Sequence, residues 1–185
     1  MTLDCLGPAP ALPAQCCDGL TLRPASESEM EAVYLMGRDV WGDGCTKTEY
    51  LRQCRESRKY RRGRWHVLAD SDGALMCSVI AYLLPRLAGR VTLGLGSVAT
   101  PLALRGRGYA SQALKCLMSG YRQYCRVEVF LLFADIELRF YQRLGFMPLP
   151  EAVQSYGDAV GMAYCAPDLW EEILRAAAEQ PPGYF

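Results

Sequence analysis

Thirteen residues carry most of the chemistry legible in this chain. Val98-Ala-Thr-Pro-Leu-Ala-Leu-Arg-Gly-Arg-Gly-Tyr-Ala110 joins an apolar, β-prone stretch to an amphipathic helix through a glycine loop. Gly106 and Gly108 let the backbone turn sharply and approach a ligand that a Cβ would obstruct. The unpaired N–H groups of a helix start converge on one place and carry partial positive charge. Arg105 and Arg107 add full charges nearby, so the segment suits a phosphate or pyrophosphate. A glycine-rich turn with two exposed arginines explains the same residues without a ligand. A second cluster, Phe140-Tyr-Gln-Arg-Leu-Gly-Phe146, holds a phenol among aromatic neighbours. A phenol ionises near pH 10, close enough to a thiol to exchange a proton with a sulfur leaving group. Tyr141 is therefore either a proton donor or a core aromatic.

The elements that must position these groups follow from periodicity. Leu20–Pro24 alternates as a short strand, and Ser26 with Glu29 fits a capping box. Met30, Val33, Tyr34 and Met36 predict a first helix to about Val40, and residues 46–60 a second. Arg52, Arg55, Arg58 and Arg62 recur along the second as either a solvated face or a rim for an anion. Residues 65–69 and 74–84 predict an antiparallel hairpin about the Asp70–Gly73 turn. A break over Pro85–Gly89 precedes a third strand, 91–100. Ala110, Ala113, Leu114, Leu117 and Met118 share one face of the helix after the loop. Residues 127–133, Val-Glu-Val-Phe-Leu-Leu-Phe, predict a buried central strand. A short helix from Ile136 to Leu144 stops at Gly145. Residues 146–149 and 159–165 predict closing strands, and 168–179 a last helix after Pro167. The fold class is α/β of mixed α+β type: one central, mostly antiparallel twisted sheet flanked by helices. Residues 1–19 predict a flexible leader, 20–166 the domain, and 167–185 a C-terminal helix and tail whose order ends at Pro181-Pro-Gly183.

Three kinds of phosphate-binding loop compete for the glycine segment. A P-loop requires a lysine that is absent. A dinucleotide fingerprint requires a third glycine where Ser111 stands, although Glu128 lies 20 residues beyond Gly108, where a ribose-binding acid belongs. Dinucleotide binding remains the lesser alternative, because an antiparallel hairpin precedes the loop. The third kind fits best. Arg105-Gly-Arg-Gly-Tyr-Ala110 resembles the Arg/Gln-x-x-Gly-x-Gly/Ala signature of the GNAT (GCN5-related) N-acetyltransferase family. Phe140–Phe146 resembles that family's later Phe-Tyr-x-x-Leu-Gly-Phe motif, and Leu22-Arg-Pro-Ala25 a common start of its domains. The resemblance covers roughly Leu20 to Cys165.

The resemblance implies the GNAT fold and acetyl-CoA as co-substrate. It implies that the backbones of Val98 and Ala99 pair with the pantetheine arm. Amides from Arg105, Gly106, Arg107, Gly108, Tyr109 and Ala110 would hold the pyrophosphate, and Tyr141 would protonate the leaving thiolate. Asp135 lies near the position of an asparagine that contacts the cofactor in relatives. The implied activity is N-acetyl transfer to a primary amine, from a small molecule or a protein, in a ternary complex. A non-catalytic acyl-CoA-binding module on the same fold is the rival. The amine must lose a proton, and relatives often use a Glu through water. Glu128, Asp43, Glu49, Asp135 and Asp39 are all available, so no base is assigned. Trp41, Tyr50, Tyr156 and Tyr164 are candidates to line an acceptor site between the first two helices and the chain after Pro150. A softer resemblance joins Ser97–Pro101, the glycine loop, Phe133–Ile136 and Trp41-Gly-Asp-Gly-Cys-Thr46 to the fungal lysine N6-acetyltransferases. Those proteins are longer, and their substrate is not carried over.

Composition narrows the classes. Twenty basic residues balance twenty acidic ones, against a nucleic-acid or membrane-surface binder. No apolar run approaches a membrane span, and the first ten residues lack the pattern of a secretory signal. A soluble cytoplasmic protein, monomer or homodimer, is expected. Nine cysteines with no Cys-x-x-Cys pair and a single His66 read as reduced structural thiols, not a metal site.

Overall fold

The computed structural model describes residues 7–135, 137–153 and 159–185. In chain order these form β1 (Gly7–Pro8), β2 (Gln15–Cys17), β3 (Leu20–Pro24), α1 (Met30–Leu35), α2 (Arg38–Trp41), α3 (Lys47–Glu56), α4 (Arg58–Arg62) and β4 (Arg64–Ala69). Then come β5 (Leu75–Leu87), β6 (Arg90–Ala99), α5 (Tyr109–Cys125), β7 (Val129–Ala134), α6 (Leu138–Gln142), β8 (Met147–Pro148), β9 (Val160–Tyr164) and α7 (Trp170–Glu179).

The strands make one sheet in the order β2-β3-β4-β5-β6-β7-β9-β8, with β1 paired to β5 beyond the end of β4. Every pairing is antiparallel except β6 with β7. That exception follows from chain order, because a parallel neighbour needs a crossover and α5 supplies it. The face of α5 bearing Ala113, Leu114, Leu117 and Met118 is buried as its spacing predicts, with Tyr121 added. It covers one side of the sheet together with Phe146 and the partly buried Phe140 and Tyr141. On the other side α1, α4 and α7 pack over Val67, Ile80, Tyr82, Val129 and Leu131.

The expected first helix is divided. Gly37, at φ −103° and ψ 2°, separates α1 from α2, and the Trp41 ring lies 2.1 Å from where a Cβ at 37 would be. The second divides at Ser57, whose extended ψ of 116° ends α3 and whose hydroxyl accepts from the Tyr60 N–H to start α4. The capping box forms, with Ser26 N–H donating to Glu29 at 2.8 Å while Arg23 pairs with the same carboxylate. Hydrogen bonding to Arg23 holds the Glu29 carboxyl down at about 2. The expected break at Pro85 is bridged: β5 runs on to Leu87 with a register shift after Leu84.

Both ends of the chain depart from expectation. Residues 7–19 of the expected flexible leader are tied down by buried Ala9 and Leu12 and by the strands β1 and β2. Arg64 and Tyr121 side chains donate to the carbonyls of Ala9 and Pro10. Order also continues past Gly183, since Phe185 is buried against the sheet. The expectation of reduced thiols is corrected at one pair: Cys17 on β2 and Cys116 on α5 form a disulfide. Among the described residues no helix is long and apolar enough to cross a membrane.

Candidate functional site

The site begins where two strands part. β6 and β7 pair through Thr92–Val129, Leu93–Phe130 and Gly94–Leu131. The ladder stops there, although β6 runs on to Ala99 and β7 to Ala134. On its other edge β6 carries a bulge: Ser78 faces Ala99 and Ile80 faces Gly96, so three steps on β6 match two on β5. Ser97 absorbs the extra residue at φ +44°. Such a bulge locally disrupts the ladder and bends the strand. The peptide groups of Ser97 and Val98 therefore stand at a split that opens to both faces of the sheet.

On the α5 side of the split lies a cleft of about 510 Å³. Its walls are Val98 and Thr100, the loop residues Arg105, Gly106, Gly108, Tyr109 and Ala110, and from α6 Phe140 and Tyr141. Gly106 and Gly108 hold φ +77° and +86°, left-handed values that favour glycine. A Cβ at either would meet nothing of the protein within 4 Å. The loop is thus a cradle that side chains would fill. No side chain caps α5 at Gly108. The first N–H groups of its 17 residues have no partner within the helix and face an anion well.

The two loop arginines differ. Arg105 makes a bidentate pair with Asp39 on α2, both contacts 2.7 Å, and its Nε donates to the Thr100 carbonyl. Its side chain is a strut between β6, the loop and α2, not a cation left for a ligand. Arg107 is exposed, outside the lining of the cleft, and makes no ion pair among the described residues. The anion-binding character of the loop therefore rests on its amides.

Tyr141 sits on α6 with Phe140 and Phe146 edge-on to it at 4.9 and 6.2 Å. Burial pushes its phenol up to about 12, and the Asp135 carboxylate adds to the rise. Asp135 itself lines a different, smaller cleft of about 120 Å³ on the opposite side of the split, with Trp41, Lys59, Tyr60, Ser97 and Tyr184. Burial and then the charge of Asp135 also push the Tyr184 phenol up. Asp135 is exposed, one residue beyond the end of β7.

Of the positions singled out in the sequence, Val98, Arg105, Gly106, Gly108, Tyr109, Ala110 and Tyr141 come together in the larger cleft. Ala99 is buried and paired with Ser78, one residue beyond the cleft lining. Asp135 moves from the cofactor side to the smaller cleft. Glu128 belongs at neither, because it pairs with Arg90 at the far end of β7. The ribose-binding role that a dinucleotide fold requires of it has no support in that position. Asp39 is tied to Arg105, and Glu49 on α3 pairs with Arg52. Arg52 pairs with Glu49 and Glu56 on its own helix and Arg55 with Glu31 on α1, so these two arginines of the row are engaged within the protein. Asp43 borders a wider groove of about 920 Å³ along α1 and α2 that contains none of the split residues. Trp41 lines the small cleft, Tyr50 is buried beneath α3, and Tyr164 packs beside Arg122 on the α5 face. Tyr156 lies outside the described residues. Lys59, Tyr60 and Tyr184 carry no motif, and long-range contacts join them to the site: Tyr60 with Ser97, and Lys59 with the Tyr184 ring.

A family model described as the acetyltransferase (GNAT) domain matches residues 21–149. No curated protein matches the chain in sequence. Solved structures resemble it in fold at low identity. A spermidine N-acetyltransferase chimera of Vibrio cholerae SpeG and hSSAT is 13% identical, with 83% of this chain and 99% of that one covered and a TM-score of 0.61. A GNAT family acetyltransferase from Bacillus anthracis is 14% identical over 83% and 98%, with a TM-score of 0.60. A GNAT family N-acetyltransferase from Escherichia coli in complex with CoA is 16% identical over 95% and 90%, with a TM-score of 0.56.

Proposed function

The chain belongs to the GNAT acetyltransferase family, and from that premise we propose that it moves the acetyl group of acetyl-CoA to a primary amine by direct transfer in a ternary complex. The observation that carries this reading is the split between β6 and β7, with a glycine cradle and Tyr141 on one side and Asp135 on the other. Two substrates approaching from opposite faces meet at the bulge of β6, so catalysis is largely positioning.

The loop amides from Arg105 to Ala110 hold the pyrophosphate, and the backbone of Val98 aligns the pantetheine arm along β6. The acceptor's ammonium loses one proton to solvent, and the free amine nitrogen bonds to the thioester carbonyl carbon. Asp135 takes the second proton as it leaves that nitrogen, the carbon–sulfur bond breaks, and the sulfur leaves with the bonding pair. Tyr141 donates a hydrogen bond to that sulfur. The magnitude decides how far its proton travels. With the phenol near 12 and an ordinary thiol near 8.5, complete transfer would cost about 5 kcal/mol. Tyr141 therefore stabilises the developing thiolate as a fixed donor and remains protonated.

Titration of the protein with acetyl-CoA and, separately, NADH tests the ligand. Binding of NADH alone would refute the loop assignment. A Tyr141→Phe protein tests the chemistry: acetyl-CoA affinity is retained while kcat falls by about 10²-fold or more. Retained kcat would remove Tyr141 from the mechanism, and binding without turnover of any amine would leave an acyl-CoA-binding module.

A further inference from the structure

Residues 181–185 lie on the acceptor side of the split, in a seat built for them. Pro182, Gly183 and Phe185 are buried, while Tyr184 is 46% exposed. The Phe185 ring packs on Tyr82 and Phe133 at 5.5 and 5.4 Å. It also occupies the space over Gly94, where a Cβ would come within 2.4 Å of it. Gly94 is the last residue of β6 paired to β7. The ring is thus wedged at the point where the two strands separate. The Tyr184 ring packs against Phe133 at 5.1 Å, and the Lys59 Nζ lies 4.5 Å from the Tyr184 ring centroid. Together Tyr184 and Phe185 wall the small cleft that holds Asp135 and Ser97.

We propose that Tyr184 and Phe185 determine acceptor specificity by walling the acceptor cleft, so that the enzyme takes compact amines and rejects bulky ones. The proposal rests on the acetyl-transfer reading given above. The cleft of about 120 Å³ is less than a quarter of the 510 Å³ cleft on the cofactor side, so it suits a compact group beside the reacting nitrogen. Asp135 and Lys59 are the charged side chains among its described lining residues, and the Lys59 Nζ stands over the Tyr184 ring. The glycine cradle, on the opposite face, does not touch residues 181–185.

The test compares ethanolamine with phenethylamine as acceptors in the wild-type, Tyr184→Ala and Tyr184→Phe proteins, with acetyl-CoA affinity measured in each. Truncating the ring is expected to raise kcat/KM for phenethylamine relative to ethanolamine by at least about 10-fold, the scale of discrimination a shaped apolar pocket supplies. Tyr184→Phe keeps the ring and should keep the wild-type ratio, and acetyl-CoA Kd should be the same in all three. An unchanged ratio in Tyr184→Ala with intact cofactor binding overturns the proposal alone. Failure of the wild-type protein to bind acetyl-CoA would instead refute the reading beneath it. If neither amine is acetylated, uncoupled hydrolysis of acetyl-CoA is the readout. Opening the wall should accelerate it several-fold by admitting water, and an equal rate in Tyr184→Ala and wild type overturns the wall.

Discussion

Replacing Gly108 by alanine separates the two jobs this residue does. At φ +86° an L residue is strained, and the left-handed conformation costs about 1–2 kcal/mol without glycine. For a chain of this size that lowers Tm by roughly 2–8 °C. The added Cβ meets nothing of the protein within 4 Å, so no side chain has to move and no core is overpacked. What the methyl does meet is the space the loop amides enclose. Acetyl-CoA affinity should therefore fall at least about 10-fold, or 1.4 kcal/mol, beyond the loss of stability. Gly73 supplies the control: it has φ +83°, open space within 4 Å of where a Cβ would stand, and a place in the Asp70–Gly73 turn outside the cleft. Gly73→Ala carries the same backbone strain with no consequence for the ligand. Calorimetric titration with acetyl-CoA and thermal melts of both variants give the comparison. Equal Kd values for the two, at equal Tm loss, would refute the cradle.

The Asp135→Asn protein should retain acetyl-CoA binding and lose about 10²- to 10⁴-fold in kcat/KM for the amine, as removal of a positioned general base does; unchanged kcat/KM would return the base to the unassigned acids. His66 is fully buried, and desolvation holds its imidazole down at about 4. Nδ1 lies 3.2 Å from the Arg64 carbonyl and Nε2 3.2 Å from the Tyr121 hydroxyl. A folded-state value below the ordinary 6.5 means the unfolded chain binds the proton more tightly. The stabilisation is complete above about 6.5 and is lost as pH falls toward 4, by about 3 kcal/mol. Urea denaturation at stepped pH measures it, and a His66→Asn variant that keeps the same slope over that window would remove His66 as the cause. Asp39→Asn should change stability by about 1 kcal/mol or less, as an exposed pair does. If Arg105 serves the loop as a strut, that substitution weakens acetyl-CoA binding with kcat unaltered; an unchanged Kd would make the pair incidental.

The local devices of this protein are written in its sequence because each is short in range. The capping box at Ser26 and Glu29, the turn at Asp70–Gly73, the glycines of the loop and the buried stripe of α5 all depend on residues within a turn or two of one another. The family motifs at 105–110 and 140–146 share that property, so most of the larger cleft's lining was singled out before any fold was drawn. The smaller cleft was not. Asp135 is one acid among several in the sequence, and only the parting of β6 from β7 sets it across the split from Tyr141. Glu128 and Asp39 are both candidate bases in the sequence, but Arg90 and Arg105, 38 and 66 residues away in the chain, pair with them. Proline-rich ends suggest loose chain, yet the first is pinned by β1, β2 and Cys17, and the last by Phe185 against Gly94. Local sequence determines which backbone shapes are cheap. Which charges cancel, and which side chains share a cleft, is decided by packing between segments far apart in the chain, and that only the tertiary structure supplies.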